Sequence, residues 1–324
     1  MQVSLYRLTF PSGFHLAPHE LALDETLPTI PSDTLFSALV QAWIRAGGDP
    51  QAWLAPFTAG DPPFLLTSAF PWIREKVKEN GQEKVREGPW FPKPLHLRPS
   101  PEWKEVPFLP EDVFFRLARG EPAGTPPAWP PSAEKPWAIE EIPRVSLDRV
   151  TLRSNLFYIA RVHFREGCGL WFGVAWRDPE RPCGRHTFRQ AFALALEELA
   201  TTGLGGDRGV GYGRFLWKLA AETTWPDPNP QGFGVLLSRF HPKKQELEAL
   251  RDARAWRLVE VAGFAETAVG HVRRKRVRLV AEGSVLPARL QGDLADLTPN
   301  AFGAHRIWRY GLAFLYPWEV AHEA

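Results

Sequence analysis

The sequence has little cysteine and no long apolar run. Its 324 residues include two cysteines, Cys168 and Cys183, so they can form neither a disulfide framework nor a four-ligand zinc site. No stretch approaches the roughly 18 uncharged apolar residues of a membrane span, and no basic patch leads into an apolar run as in a signal peptide. We therefore expect a cytoplasmic protein with no metal and no cofactor.

The net charge is also small. A formal charge of +2 excludes a polycation that binds nucleic acid through its total charge. Any evidence for nucleic-acid binding must therefore come from the local distribution of basic residues. Residues 271–278 read HVRRKRVR, with five basic residues in eight. Such runs are often solvent-facing strand surfaces, and alternation along a strand would direct neighbours to opposite faces. The one methionine and 32 prolines are typical of a thermophilic source.

Hydrophobic periodicity in the first part of the chain alternates between strand and helix patterns. Ser32 is the predicted N-cap of the first helix, which Gly47 ends. The predicted order is a strand at 2–10, this helix, strands at 63–72, 155–164 and 168–176, a helix at 187–202 and a strand at 213–220. Residues 155–164 and 168–176 are interpreted as a hairpin joined at Glu166-Gly167. The order is the βαββαβ pattern of ferredoxin-like folds, which RNA-recognition motifs share.

A long insertion separates the two halves of this pattern. Charged residues from Glu75 to Glu87 surround an Asn80-Gly81 turn signal, which predicts a projecting hairpin. Residues 89–136 hold 13 prolines. This segment is predicted to extend over the surface without a regular core element.

A second proline-rich break at 221–232 predicts a domain boundary between residues 1–224 and 225–324. The second part contains strand patterns at 233–240, 256–264, 272–281 and 310–316, and a helix pattern near 243–254. We interpret it as a second, degenerate ferredoxin-like domain.

The most unusual local feature is GLGGDRGVGYGRF at 203–215, with six glycines in thirteen residues. A dinucleotide-binding loop follows a strand and opens a helix, whereas this loop follows a predicted helix and opens a strand. Its glycines let backbone N–H groups approach phosphates or bases, Arg208 and Arg214 supply charge, and Tyr212 can stack on a base. A tight connection without a ligand is the alternative.

At this loop the chain resembles the RAMP superfamily of CRISPR-Cas proteins. Within that superfamily it is similar to subunit four of the Csm effector complex of type III-A systems, the five-like RAMP that holds the 5′ handle of the crRNA. The resemblance rests on GFHLA (13–17), IPSDTLFSAL (30–39), SLDRVT (146–151) followed by LFYIA, the glycine loop, EGSVL (282–286) and RYGLAF (309–314). Gly209 departs from the Ser or Thr expected after Arg208.

The resemblance implies an α+β fold of two ferredoxin-like domains with a β-hairpin thumb. The thumb is expected at 73–115, within an insertion of about 73–153. The implied function is a non-catalytic crRNA-binding scaffold in antiviral defence. Its implied partners are the 5′ handle, the large polymerase-like subunit and the adjacent backbone RAMP. The candidate RNA contacts are His15, Ser32, Arg149, Arg153, Gly205, Gly206, Arg208, Tyr212, Arg214, Arg273 and Lys275.

Other functions remain open at this point. His15 lies where some RAMP relatives place a catalytic histidine, so a metal-independent endonuclease that cuts CRISPR repeat RNA is one alternative. It would need a second base or a cation, such as Arg208, at the ribose 2′-hydroxyl. Asp33 could serve as a nuclease carboxylate, although its place at a helix start already explains it. The chain could also be a protein adaptor whose aromatic insertion docks the large subunit.

Overall fold

The computed structural model describes residues 1–19, 22–79, 82–97, 101–131, 135–147, 153–267, 270–300 and 302–319, without the side chains of 77–79, 82, 83, 266, 267 and 271. The α-helices in these ranges are α1 (Ser32–Arg45), α2 (Pro50–Thr58), α3 (Pro101–Lys104), α4 (Glu111–Ala118) and α5 (Phe188–Thr202). None of them is long and apolar enough to cross a membrane. The fold mixes α and β structure, and the strands predominate.

The strands of the first part are β1 (Gln2–Thr9), β2 (Phe64–Leu66), β3 (Phe70–Glu79), β4 (Gln82–Pro92), β5 (Phe108–Pro110), β6 (Trp137–Leu147), β7 (Ser154–Phe164), β8 (Gly169–Trp176), β9 (Pro182–Cys183), β10 (His186–Thr187) and β11 (Leu216–Thr224). Seven of them form one antiparallel sheet in the order β11-β1-β8-β3-β4-β5, with β2 also pairing β8. The strands β1, β2 to β3, β8 and β11, together with α1 and α5, follow each other in the predicted βαββαβ order.

The two long helices form where the periodicity predicts them. The apolar stripe of α1, which includes Leu35, Phe36 and Leu39, is fully buried. The prediction that Ser32 caps α1 is wrong: Ser32 is already the first helical residue, and Pro31 is the cap without a side-chain bond. In α5, Thr187 and Gln190 form a capping box that satisfies the first free N–H groups of the helix.

The pairing of the strands after the insertion differs from the prediction. Strand β7 pairs with β6 along its whole length, from Trp137 opposite Phe164 to Leu147 opposite Ser154. Strand β8 lies between β1 and β3, so the predicted 155–164/168–176 hairpin is wrong. The physical reason is that every residue of β8 is buried, whereas the outer half of β7 is exposed, so only β8 suits a central position.

The insertion also contributes to the core. Strands β3 and β4 pair up to Glu79 and Gln82, which confirms a hairpin around Asn80-Gly81, whose turn lies outside the described residues. The prediction of an extended surface path after residue 89 is wrong. Phe91 is fully buried, and the centroid of its ring lies 4.5 Å from that of Phe114 and 4.7 Å from that of Trp171. The burial of aromatic side chains thus packs this proline-rich segment against the core.

The second part has strands β12 (Phe233–Leu236), β13 (Leu258–Val261), β14 (Phe264–Thr267), β15 (Gly270–Arg273), β16 (Val277–Val280), β17 (Val285–Pro287), β18 (Ala295–Asp296), β19 (Trp308–Arg309) and β20 (Leu315–Trp318). A three-stranded sheet has the order β17-β12-β20, and the other strands pair in twos. The predicted helix near 243–254 is wrong, because this segment forms two 3-10 turns, Lys244–Glu246 and Ala249–Asp252. The predicted strand at 272–281 is divided into β15 and β16.

The two parts share one hydrophobic cluster, which includes Phe36 of α1 and Tyr310, with ring centroids 4.9 Å apart. The Tyr310 hydroxyl accepts a hydrogen bond of 2.9 Å from the Leu66 N–H. These contacts join the start of the chain to its end through buried surface.

A buried set of charged groups also spans the two parts. Asp33 is fully buried, and its Oδ2 accepts a hydrogen bond of 2.7 Å from Arg309 Nε. Arg239 Nη1 lies 3.7 Å from Asp33 Oδ1, and Arg239 Nε lies 3.5 Å from Glu282 Oε1. The Ser68 hydroxyl donates to Glu282 at 2.6 Å. We call Asp33, Ser68, Arg239, Glu282 and Arg309 the buried ion network.

Removal of one charge from this network should destabilise the protein strongly. We expect Arg309→Leu to lower the free energy of unfolding by about 3–5 kcal/mol, because it leaves the Asp33 carboxylate buried with less compensation. Arg306→Leu is the control: Arg306 pairs with Asp296 at 3.0 Å, but 68% of its side chain is exposed, so its loss should cost under about 1 kcal/mol. Urea denaturation measures both, and equal losses would contradict the role of the network.

The network should also shape stability at low pH. Burial alone raises the pKa of Asp33, but the Arg309 and Arg239 guanidiniums outweigh it and hold this pKa below its ordinary value. The stabilisation is therefore present above the pKa of the unfolded chain, about 3.9, and is lost as the pH falls through the lower folded value. We expect Asp33→Asn to flatten the loss of stability below about pH 4 in acid titrations followed by circular dichroism. If the loss of stability below about pH 4 were the same in Asp33→Asn and the parent, Asp33 would not contribute to it.

Candidate nucleic-acid interface

The glycine loop (203–215) begins where α5 ends and folds back on itself. Gly203 ends the helix with φ 84°, and its N–H donates to Leu199 O at 2.8 Å. The Leu204 N–H donates to Gly213 O at 2.9 Å, which closes the base of the loop. The tip is a 3-10 turn, Arg208–Val210, that follows Asp207 in the left-handed region. The loop is thus closed at its base by backbone hydrogen bonds.

Two further segments hold the glycine loop. The Gly206 N–H donates to His15 O at 2.9 Å, and the Gly213 N–H donates to Gly13 O at 2.9 Å. Phe14, between these two residues, exchanges hydrogen bonds with Val162 of β7 at 3.1 and 2.9 Å. The segment 13–15 therefore lies between the loop and β7 and fixes their distance.

Close backbone approach explains the glycines at the base of the loop but not the one at its tip. A Cβ at Gly205, which has φ 91°, would lie 2.1 Å from His15 O, and one at Gly213 would lie 1.9 Å from Leu204 O. A Cβ at Gly209 would have no described atom within 4 Å. Gly205 and Gly213 are therefore required by packing, and Gly209 has open space around it.

His15 is buried, with 6% of its surface exposed. Its Nδ1 lies 2.7 Å from Ala160 O, so Nδ1 carries the proton and donates it to this carbonyl. With its own carbonyl bound to Gly206, His15 connects β7 to the loop through both ring and backbone. His15 is a predicted RNA contact, and in the structure its ring and its carbonyl both make contacts within the fold.

Two arginines of β6 and β7 surround the aromatic ring of the loop. The guanidinium carbon of Arg161 lies 3.3 Å from the centroid of the Tyr212 ring, and that of Arg144 lies 5.9 Å from it. Arg144 Nη2 also pairs with Asp207 Oδ2 at 3.2 Å. Sequence reasoning selected Tyr212 but missed both arginines as members of the site. Only the β6–β7 register, which puts them on one side of the ribbon, could have identified them.

Three predicted contacts carry positive charge without a partner in the described part of the chain. Arg214 and Arg153 are exposed, and Arg208 is half-buried at the loop tip. None of the three side chains has an ion pair or a hydrogen bond with the described residues. Because paired charges are neutralised locally, these guanidiniums are the ones that could meet an anionic ligand.

The remaining predicted contacts lie apart from the loop or outside the described residues. Ser32 is fully buried, and its Oγ accepts a hydrogen bond of 2.8 Å from the Arg239 N–H, next to the buried ion network. Arg273 and Lys275 are exposed in the second part, at the end of β15 and just after it. Arg149 lies outside the described residues.

The basic run at 271–278 is partly neutralised. Arg276 and Arg278 both approach Glu260, at 3.4 and 3.8 Å. Arg274 turns back and donates to Ala262 O at 2.8 Å. The run does not form one strand, since it is divided between β15 and β16, and these three arginines make contacts within the fold.

The described residues contain no cluster of three or more His, Cys, Asp or Glu that could hold a metal ion. Asp33, considered as a nuclease carboxylate, is fully buried and bonded to Arg309. What the arrangement offers is a rigid loop with cationic and aromatic groups at its surface. Such a surface can bind phosphates and unstacked bases.

Comparison with known proteins relates the second part of the chain to a family. Residues 230–318 match the family model described as the CRISPR Csm4 C-terminal domain. A protein of Thermococcus onnurineus (strain NA1), described as CRISPR system Cms protein Csm4, is 26% identical over 303 residues, which cover 87% of this chain and 89% of that protein.

Solved structures extend the similarity to nearly the whole fold. A chain of a Csm1-Csm4 cassette in complex with cA4 is 21% identical with a TM-score of 0.59, and covers 99% of both chains. A chain of a Csm3-Csm4 subcomplex in the type III-A CRISPR-Cas interference complex is 15% identical with a TM-score of 0.57, over 99% of this chain and 100% of that one. The comparisons together confirm the resemblance that the sequence motifs carry.

The close approach at Gly205 predicts a sharp difference between two glycines of one loop. Gly205→Ala should lower the free energy of unfolding by about 1–3 kcal/mol, because its Cβ meets His15 O and its φ is positive. Gly209→Ala, the matched control at the open tip, should stay within about 0.5 kcal/mol of the parent. Urea denaturation measures both. Indistinguishable midpoints would show that the loop does not pack against His15.

Proposed function

We propose that this chain, a Csm4-type RAMP protein, is the crRNA-binding scaffold subunit of a type III-A CRISPR-Cas interference complex. In this role it caps the 5′ handle of the crRNA and connects the large polymerase-like subunit to the adjacent backbone RAMP. It acts in antiviral defence in the cytoplasm. The function is binding, and no catalytic step is assigned to this subunit.

The observation that carries the proposal is the rigid glycine loop with unneutralised arginines. The hydrogen bond from the Gly206 N–H to His15 O holds the loop next to its tip without a ligand. Arg208 and Arg214 can then contact phosphates, which gives affinity that depends on salt. A loop that is already ordered loses little conformational entropy when RNA binds.

Selectivity for the handle is assigned to groups other than the phosphate contacts. The ring of Tyr212, and those backbone N–H groups of the glycine loop that make no hydrogen bond within the fold, can meet unstacked bases and 2′-hydroxyls of single-stranded RNA. Arg161 covers Tyr212 at 3.3 Å, so a base would meet either the free part of this ring or the guanidinium plane. Arg153, Arg273, Lys275 and the undescribed Arg149 remain predicted phosphate contacts.

The proposed partners follow from the similar structures. One relative was solved as a Csm1-Csm4 cassette and another as a Csm3-Csm4 subcomplex. By analogy this chain binds a Csm1-type large subunit and a Csm3-type backbone subunit. Its similarity over nearly the full length of both relatives supports the same two contacts.

We also propose that the halves 1–224 and 225–324 are ferredoxin-like units, the second degenerate. The predicted thumb segment 73–115 includes a hairpin that leaves the main sheet, because β3 pairs with β8 only at 70–72 and β4 pairs with β5 only at 90–92. The β6–β7 ribbon is a second candidate for the thumb, since its two strands form a separate two-stranded sheet.

A binding role is favoured over repeat cleavage by the state of His15. General acid/base catalysis needs a ring nitrogen within reach of the ribose 2′-hydroxyl or the leaving oxygen. The ring of His15 is buried, and its Nδ1 is bonded to Ala160 O. This favours a histidine that holds the loop in place.

The proposal predicts the effect of removing one loop charge. Arg208→Ala should weaken binding of handle RNA by about 1–3 kcal/mol, as expected for a direct charged contact. Arg251→Ala is the control, since Arg251 is an equally cationic side chain, exposed on a turn of the second part. Fluorescence anisotropy at two salt concentrations gives the affinities and the salt slopes.

Two outcomes would contradict the proposed function. Equal affinities for the two variants and the parent chain would remove Arg208 from the interface. Cleavage of repeat RNA by the purified chain in EDTA, abolished by His15→Ala, would favour the endonuclease instead.

A further inference from the structure

An open pocket lies in the second part of the chain, on the loop between β18 and β19. Its volume is about 540 Å³, within the range of roughly 300–1,000 Å³ that is typical of small-molecule sites. It shares no lining residue with the glycine loop or the β6–β7 ribbon. The polar, charged and aromatic side chains of its lining are Lys275, Thr298, Asn300, Phe302, His305 and Arg306, which we call the loop pocket.

Hydrogen bonds of the backbone hold the walls of the loop pocket. The Leu297 N–H donates to Ile307 O at 2.8 Å, and the Ile307 N–H donates to the Thr298 hydroxyl at 2.9 Å. The Lys275 N–H donates to Leu297 O at 2.9 Å, which ties the basic run at 271–278 to this loop. A pocket whose walls are already ordered loses little conformational entropy when a ligand binds.

The loop pocket carries a net positive charge. Its described lining contains Lys275 and Arg306 but no Asp or Glu. Asp296, outside this lining, accepts a hydrogen bond of 3.0 Å from Arg306. Burial raises the pKa of Asp296, but hydrogen bonds from Thr298 and the charges of Arg306 and Lys275 outweigh it and hold this pKa below its ordinary value. Asp296 is therefore ionised at neutral pH and offsets one of the two cations.

Lys275 supplies the charge that Asp296 leaves over. Its side chain is exposed and makes no hydrogen bond or ion pair with the described residues. Arg306 is exposed too, and its guanidinium has five N–H groups, more than the contact with Asp296 uses. An anion in the loop pocket would therefore meet one free ammonium and further N–H groups of the guanidinium.

An aromatic pair lines the same pocket. The ring centroids of Phe302 and His305 are 5.0 Å apart, and their planes meet at 87°. In such a T-shaped pair the edge of one ring points at the face of the other, so the first ring keeps both faces free of its partner. A nucleobase stacks on a free ring face. The exposed Asn300 amide adds a donor and an acceptor that suit the edge of a base.

This combination favours a nucleoside phosphate over an acidic peptide. The carboxylates of a peptide could meet Lys275 and Arg306, but they would leave the rings and the amide unused. A surface that docks a protein has an apolar centre, whereas Phe302 is the one large apolar side chain in the described lining. A phosphate joined to a base uses the cations, the rings and the amide together.

We propose that the loop pocket binds a nucleoside phosphate, with the phosphate on Lys275 and Arg306 and the base on the Phe302–His305 pair. The ligand is a free nucleotide or one nucleotide of an RNA strand, because both carry this chemistry. The inference goes beyond the proposed function, since it adds a site in the second part and does not require the glycine loop to bind RNA.

Photolabelling of the full chain tests the place of binding. The probe is 8-azidoadenosine 5′-monophosphate, and peptide mass spectrometry locates the label after irradiation. We expect the label within residues 298–306, and unlabelled AMP should prevent it. Label found only elsewhere in the chain would overturn the inference. So would protection of 298–306 by a glutamate-rich peptide but not by AMP, because the pocket would then take an acidic protein segment.

Titrations followed by phosphorus NMR test the division between phosphate and base. Lys275→Gln should weaken the binding of AMP and of inorganic phosphate by about five- to tenfold each, as expected for a charged contact. Phe302→Leu should weaken AMP by a similar factor and leave inorganic phosphate unchanged, because only the base uses the ring.

The matched control is Lys244→Gln. Lys244 is an exposed lysine on a 3-10 turn of the second part and does not line the pocket, so its variant should match the parent. Equal affinities of Lys275→Gln and Lys244→Gln for AMP would overturn the inference. Thermal unfolding by circular dichroism verifies that all three variants fold.

Competition distinguishes the two sources of the ligand. A single-stranded RNA tetramer that displaces the photoprobe at a concentration at least about tenfold below that of AMP would identify an RNA strand. Displacement by AMP at the lower concentration would identify a free nucleotide. Either result upholds the pocket, and the failure of both competitors to displace the probe would overturn it.

The design separates this inference from the proposed function. Arg208→Ala should weaken handle RNA without changing the label at 298–306. If handle binding responds to Arg208→Ala and the loop pocket takes no nucleotide, only the pocket inference fails. If the pocket binds AMP and the chain binds no handle RNA, only the proposed function fails.

Discussion

The fold depends on the burial of Asp33. A carboxylate without solvent exposure is tolerated only if cations compensate it, and here those cations are Arg309 and Arg239 from the second part of the chain. The first turn of α1 is therefore held in place by residues of the second part of the chain. Three of the segments that carry the family resemblance, 30–39, 282–286 and 309–314, each contribute a charged residue to this one network.

The network and the candidate nucleic-acid interface lie at the two ends of the connection between β1 and α1. Strand β1 lies in the sheet between β8 and β11, and the network holds the start of α1. The connection contains residues 13–15, which hydrogen-bond to Gly206 and Gly213 of the glycine loop and to Val162 of β7.

Local signals in the sequence predicted what local physics determines. The buried stripe of α1, the helix at 187–202 and the Asn80-Gly81 hairpin each arise from residues a few positions apart. The pairing of strands, in contrast, depends on residues far apart in the sequence. A turn signal joins β7 to β8, but β8 is buried on both faces and pairs within the main sheet instead. The burial of Phe91 could not be predicted for a similar reason. Its neighbours in sequence are prolines, and its packing partners Phe114 and Trp171 are distant in sequence.

The candidate site shows the same division. The residue types at 203–215 predicted a phosphate-approaching loop, but composition could not distinguish Gly205, needed for packing on His15, from the open Gly209. Composition also could not show whether His15 and Asp33 are catalytic residues or residues that stabilise the fold. Burial and hydrogen bonding supply this information: His15 Nδ1 is bonded to Ala160 O, and Asp33 Oδ2 is bonded to Arg309, so each side chain makes a structural contact. Among the described residues, the exposed or half-buried arginines Arg153, Arg208 and Arg214 remain available to an anionic ligand.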